Sequence, residues 1–132
     1  MEFAYSAKAQ DYITRLQAFM EQEVYPAEKT YYGCFSHSPD HTKWQQPDIM
    51  ESLKAKAKAA GLWNLFSPHA EHGLNNADYA PLAEITGRSF IAPEVFNCNA
   101  PDTGNMEVLI KYGSPEQQKQ WLEPLLAGEV RS

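Results

Sequence analysis

Apolar residues recur at spacings of three and four along most of the chain. Over residues 6–24, Ile13, Leu16, Met20 and Val24 fall on one face, with Lys8, Gln10, Arg15, Gln17 and Glu21 on the other. That pattern predicts an amphipathic helix capped by Ser6. Its end is open to two readings: proline disfavours helix at Tyr25, yet Pro26 can also begin a new turn. Residues 32–46 lose the pattern, and Gly33, Ser36, Ser38, Pro39 and Asp40 mark the longest expected loop. Periodicity returns at Pro47 with Ile49, Leu53, Ala57 and Ala60, and Gly61 closes that helix in the left-handed conformation.

Residues 62–68 form a short apolar run ended by Pro68, read as an extended buried segment, and residues 69–76 form a second loop. Asp78 is expected to cap a helix carrying Leu82, Ile85 and Phe90 or Ile91, with Pro81 in its first turn. Gly87 would lie inside it, which suggests close approach of another backbone. Pro93 opens a short helix with Val95, Phe96 and Asn99 that Pro101-Asp102 interrupts, and Asp102 caps a further one with Met106, Leu109 and Ile110 that stops at Tyr112-Gly113. Ser114-Pro115-Glu116-Gln117 is a capping-box start. Trp121, Leu122, Leu125 and Leu126 give the last apolar stripe, Pro124 ends or kinks it, and Gly128 closes the turn. The sum is about six helices without an alternating strand or internal repeat. The expected class is all-α, an orthogonal or up-down bundle.

Composition supports that class. Sixteen Ala and ten Leu stand against four Val and five Ile, and the first pair favours helix over strand. With 132 residues, 43% apolar and 21% charged, the chain suits one globular domain. A net charge of −6 without a Lys/Arg cluster argues against nucleic acid as a partner. No apolar run reaches the ~18–20 residues of a membrane span. Residues 1–5 resemble neither a secretory signal nor a transit peptide, and Cys34 and Cys98 lack a CxxC partner. These features predict a soluble intracellular protein, cytoplasmic if bacterial.

Candidate chemistry is sparse. His37 and His41 are four apart but in a Ser/Pro/Asp loop, while His69 and His72 are three apart beside glycine. Solvated loop histidines account for them better than a metal site. No nucleophile elbow, phosphate cradle or dinucleotide fingerprint is present. Carboxylates such as Glu21, Glu23 and Glu28 fall on expected solvent faces. The aromatics Tyr31, Tyr32, Phe35, Trp44, Trp63 and Phe66 read as core and loop packing. One region stands out: between Phe90 and Met106, Asn97, Asn99, Thr103 and Asn105 interleave with Val95, Phe96 and Cys98. Uncharged polar groups among apolar ones on broken helices suit a lined pocket, and equally a helix corner whose asparagines act as caps.

The order and spacing of three stretches carry a family resemblance. Residues 112–132, from Tyr112-Gly113-Ser114-Pro115 through Trp121-Leu122-Glu123-Pro124 to Ser132, resemble the end of the N-terminal helical domain of acyl-CoA dehydrogenases. Residues 79–89, with Ile85-Thr86-Gly87-Arg88-Ser89, resemble the same domain. The block Asn97-Cys98-Asn99-Ala100-Pro101-Asp102-Thr103-Gly104-Asn105-Met106-Glu107-Val108-Leu109 is most similar to the branch with phosphotransferase-fused members. The resemblance covers nearly the whole chain and is weakest over residues 31–46.

The resemblance implies that residues 1–132 are an N-terminal helical domain of an enzyme that α,β-dehydrogenates acyl-CoA thioesters. Its flavin-binding β-domain and C-terminal helical domain, which holds the catalytic glutamate, would lie beyond Ser132. It implies an acyl-pocket wall of Val95, Phe96, Asn99, Ala100 and Thr103. The loop Glu71-His72-Gly73-Leu74 matches a family loop usually rich in Tyr and Gly. FAD and an electron-transfer partner belong to the complete enzyme; this chain alone is expected to be inactive, without a cofactor or catalytic residue of its own. Apolar surface around Trp121, Leu125, Leu126, Phe96 and Met106 would then drive homo-oligomer formation. The alternative is a stand-alone helical binding module that has lost catalysis.

Overall fold

The computed structural model describes residues 4–34, 39–43 and 46–132; Phe35, His37 and Trp44 lie outside the described residues. Within them the chain is helical, with no strand. Eight α segments, two of them extended by π turns, join into six rods: α1 (Ala7–Phe19) with α2 (Tyr25–Gly33), α3 (Asp48–Ala59), α4 (Asn76–Thr86), α5 (Ala92–Val95), α6 (Asp102–Tyr112), and α7 (Pro115–Gln117) with α8 (Glu123–Ala127).

Both long rods contain a proline and solve it in the same way. A π-helical turn, Met20–Val24, joins α1 to α2, and another, Gln118–Leu122, joins α7 to α8. Each ends two residues before its proline, Pro26 or Pro124. The residue preceding proline reaches back one step further than an α-helix would: Tyr25 N–H donates to the Met20 carbonyl, and Glu123 N–H to the Gln118 carbonyl. The wider turn keeps the rod continuous where proline removes a donor and crowds the preceding turn. Neither proline breaks its rod, and α2 runs on to Gly33, into the expected loop.

Starts and stops obey local chemistry with three corrections. Ser6 caps α1, its Oγ accepting from Ala9 N–H at 3.0 Å. Ser114 forms the expected capping box with Gln117. The cap of α4 is Asn75 rather than Asp78; Asp78 occupies the third helical position and closes a reciprocal box with Asn75, so Pro81 falls in the second turn. That helix also stops earlier than expected, at Thr86, with Gly87 as its C-cap. Gly87 approaches the carbonyls of its own helix, Ala83 and Glu84, rather than another backbone. The early stop sends Phe90 outward, 96% exposed, and turns Ile91 into the core at 3%. Asp102 likewise does not cap α6: Pro101 holds that position and Asp102 sits in the first turn.

Residues 62–68 are buried as expected but are not extended. Leu62, Leu65 and Phe66 lie inside, yet the chain turns at Asn64, whose φ of 54° is left-handed. Asn64 N–H donates to the Phe96 carbonyl and Ser67 N–H to the Asn64 carbonyl, both at 3.0 Å. Those bonds tie the reversal to α5 where an extended run would leave the backbone groups unpaired.

The main core joins Leu16, Met20 and Val24 of the first rod to Met50 and Leu53 of α3, Leu82 of α4 and Phe96 after α5. Phe19 meets Phe96 edge to face at 5.4 Å. A second cluster of Phe66, Met106, Leu122 and Leu125 holds α6 to the last rod, and Tyr79 and Cys98 pack against both. Phe96 and Met106 are fully buried and Leu125 nearly so, so they offer no face for association; of that expected surface only Trp121 is well exposed. No helix among the described residues is long and apolar enough to cross a membrane.

Candidate functional site

The residues expected to wall an acyl cavity divide into two groups. Val95 and Phe96, at the end of α5, have no exposure and belong to the main core. Asn99 and Thr103 are half-buried and Ala100 is exposed; they form the corner that leads into α6, where Thr103 N–H donates to the Asn99 carbonyl at 3.1 Å. The structure therefore brings Asn99, Ala100 and Thr103 together at a surface and sets Val95 and Phe96 in the interior. None of the five lines either of two clefts of about 620 and 460 Å³ elsewhere on the domain.

The polar residues that interleave with them do other work. Asn97 has φ 53° and is almost fully buried. Its Nδ2 donates to Asn64 Oδ1 at 2.7 Å and to the Leu125 carbonyl at 2.9 Å. Asn105 donates to Ser132 Oγ at 2.8 Å. Neither asparagine is a cap or a pocket wall; both tie the corner to the end of the chain. Sequence spacing could not find these roles, because the partners lie 27 to 33 residues away.

Cys98 and Tyr79 lie between the two core clusters. Burial pushes the Cys98 thiol up to about 11, against weaker help to the thiolate from hydrogen bonds of Phe66, Tyr79 and Leu65. Burial, and after it the neighbouring Cys98, also raises the Tyr79 hydroxyl well above its ordinary range. Both stay protonated at neutral pH, so neither offers a nucleophile or a base.

The larger cleft, about 620 Å³, opens between Tyr12 of α1, Lys58 of α3, the Trp63-Asn64 turn, the 69–72 loop and Leu126 of α8. His72, expected as a solvated histidine, is instead the cleft's fastener. Its Nδ1 accepts from Leu74 N–H at 3.0 Å and its other nitrogen lies 3.0 Å from the Asn64 carbonyl. An acceptor at Nδ1 facing a carbonyl at Nε2 requires the neutral ring with its proton on Nε2. Tyr12 stacks on it edge-on at 6.0 Å. His69 remains exposed. Lys58 donates to the Ala127 carbonyl and lies 4.4 Å over the Trp63 ring.

The second cleft, about 460 Å³, is charged and runs between α3 and the end of the chain. Glu94 is its centre, paired with Lys54 at 3.4 Å and Arg131 at 2.8 Å. Beside it Asp102, 1% exposed, receives Arg131 Nε at 2.6 Å and both the N–H and hydroxyl of Ser132 at 2.7 Å. Burial alone would raise its carboxyl, but the Ser132 and Arg131 donors outweigh that and hold it below its ordinary value.

The family model "Acyl-CoA dehydrogenase, N-terminal domain" matches residues 6–129. The chain is 56% identical to acyl-CoA dehydrogenase family member 11 of Mus musculus over 133 residues, covering 98% of this chain and 17% of that protein. It is 56% identical over 135 residues to FadE2 of Mycobacterium tuberculosis, named a probable acyl-CoA dehydrogenase, covering all of this chain and 32% of that one. A solved structure from Mycobacterium abscessus, also assigned as an acyl-CoA dehydrogenase, superposes with a TM-score of 0.87 at 51% identity over 97% of this chain and 33% of its own. The chain thus spans a third or less of these relatives. It belongs to the acyl-CoA dehydrogenase family, as the N-terminal domain.

Proposed function

We propose that this domain serves an FAD-dependent enzyme that removes hydrogens from the α and β carbons of acyl-CoA thioesters, and that its part is to wall the acyl chain. The observation that carries the reading is the helical domain itself, matched from residue 6 to residue 129 by the family's N-terminal domain. In this proposal the exposed corner of Asn99, Ala100 and Thr103 faces the acyl chain, and Val95 and Phe96 back it from the core. A rigid corner of small residues leaves room for a chain and excludes water from it. Asn99 and Thr103 add modest polarity, which suits a cavity that limits chain length or accepts a substituted acyl group.

FAD has no place within this domain in the proposal, because the donors of the larger cleft do not fit a flavin dinucleotide. Its one Lys, Lys58, is already committed to the Ala127 carbonyl and the Trp63 face, so among the described residues no free Lys or Arg lines it for a pyrophosphate. The proton acceptor is likewise assigned to the rest of the polypeptide, as are the electron-transfer partner and the contacts of a homo-oligomer. The test is an assay of the complete polypeptide against an acyl-CoA length series with an artificial electron acceptor. Turnover whose length preference moves in Asn99→Leu supports the reading. A flavin-loaded protein inert towards every acyl-CoA overturns it, and activity with an unchanged preference in the variant removes Asn99 from the wall.

A further inference from the structure

The last seven residues form a strap fastened at both ends by side chains from elsewhere in the chain. At its near end the Leu126 carbonyl accepts from Trp63 Nε1 at 2.8 Å and Asn64 Nδ2 at 3.0 Å. The Ala127 carbonyl takes Lys58. At its far end Asp102 receives three donors from two consecutive residues, Arg131 and Ser132. Glu94 then links Arg131 to Lys54 of α3, and Asn105 holds the Ser132 hydroxyl.

The far fastening has a property the near one lacks. A carboxylate this buried is costly unless its lone pairs are filled, and among the described residues the donors that fill those of Asp102 come from the strap. The state of the strap and the state of the first turn of α6 are therefore one equilibrium. That turn also carries Thr103, and Asn99 and Ala100 lead directly into it.

We infer that Asp102 is a positioning residue, which sets the direction the chain takes past Arg131 and Ser132 and locks the corner from Asn99 to Thr103 to it. In a polypeptide that continues as its relatives do, the helical domain is then held at one orientation to the chain beyond Ser132. The link from this lock to an acyl chain rests on the proposed function; the fastening does not.

The test uses the complete polypeptide with Asp102→Asn, which keeps the shape and removes the charge. Arg131→Gln is the second variant, and with its side chain 41% exposed it does not threaten folding. Hydrogen exchange and acyl-CoA kinetics are read together. Charge-assisted hydrogen bonds of this kind predict exchange about tenfold faster or more over residues 128–132 in both variants, with α1 and α4 unchanged. KM for acyl-CoA rises several-fold while kcat holds within about twofold, because the wall is displaced and the reacting groups are not. Unchanged exchange over 128–132, or an equal rise in every helix, overturns the lock. Faster local exchange with KM unmoved overturns the positioning role. Should the parent polypeptide turn over no acyl-CoA, the proposed function falls by itself and the exchange data still decide the fastening.

Discussion

Asn97 donates its side-chain amide to Asn64 at 2.7 Å, and both residues hold left-handed backbone, with φ of 53° and 54°. Two chain reversals 33 residues apart thus share one hydrogen bond. The same Asn97 amide reaches the Leu125 carbonyl, and the Asn64 amide reaches that of Leu126. The pair is the point where the turn after α3, the corner after α5 and the last rod meet. Asparagine suits it because it tolerates positive φ better than other side chains and still supplies donors.

Two variants separate those contributions. Asn97→Ala loses the amide and keeps a β-carbon in the left-handed region without the polar side chain that makes it tolerable, whereas Asn97→Gly loses the amide and the β-carbon together and so carries no left-handed strain. The Asn64 Oδ1 left without its donor costs about 1–3 kcal/mol, the Leu125 carbonyl keeping Gly128 N–H, and left-handed strain costs about 1–2 kcal/mol more in alanine. Both variants should lower the guanidinium midpoint at constant m-value, with alanine the worse by about 1 kcal/mol. Equal losses would show that the φ of 53° is not a constraint.

His72 is predicted to hold one tautomer. Nitrogen-15 spectra of the ring should show a proton on Nε2 and a bare Nδ1, as its two partners demand. His72→Phe keeps the contact with Tyr12 but leaves Leu74 N–H without an acceptor and the Asn64 carbonyl without its ring donor. A loss of about 1–3 kcal/mol is expected. Rapid exchange between tautomers would contradict the geometry.

The two cysteines should behave as opposites. Cys34 is exposed and Cys98 is held protonated by burial, with its pKa raised to about 11. At pH 8 a maleimide should label Cys34 and spare Cys98 until the protein is unfolded. Linkage adds a second check. From its ordinary value of 9.0 up to about 11, the thiol ionises in the unfolded chain but stays neutral in the folded one. The folded state then binds the extra proton, so this contribution is present below pH 9 and is lost as pH rises through that window. Cys98→Ser should flatten that part of the stability curve.

Much of the helical pattern was legible because it is local. Leu16, Met20 and Val24 recur at helical spacing and all lie in the core, and Ser114 finds Gln117 three residues on. The misreadings have a common physical origin. Asp102 looks like a cap by its place after proline, but its donors arrive from residues 131 and 132. Residues 62–68 look extended by composition, but Asn64 turns because Phe96 and Leu126 offer partners. Phe90 and Ile91 both continue the apolar stripe of α4, and only the stop at Thr86 decides which is buried. The region of the proposed wall stood out by its uncharged polar residues among apolar ones, but the five wall residues themselves came from family resemblance; periodicity could not separate interior Val95 and Phe96 from the surface corner.

Gly128 closes the last rod with φ 70°, pressed against Trp63. A β-carbon there would sit 2.6 Å from Trp63 Cζ2 and 2.9 Å from Cη2, too close for any real contact. The indole cannot simply swing away, because its Nε1 is bonded to the Leu126 carbonyl and Lys58 covers its face. Gly128→Ala therefore combines backbone strain with a steric clash, each on the order of 1–2 kcal/mol. The two separate in a Trp63→Leu background, which removes the clash and leaves the strain. The alanine change should cost about 1–2 kcal/mol less there than in the parent, a coupling readable from denaturation midpoints of the four proteins. Additive losses would mean that the indole yields freely, and that its bond to Leu126 does not fix the near end of the strap.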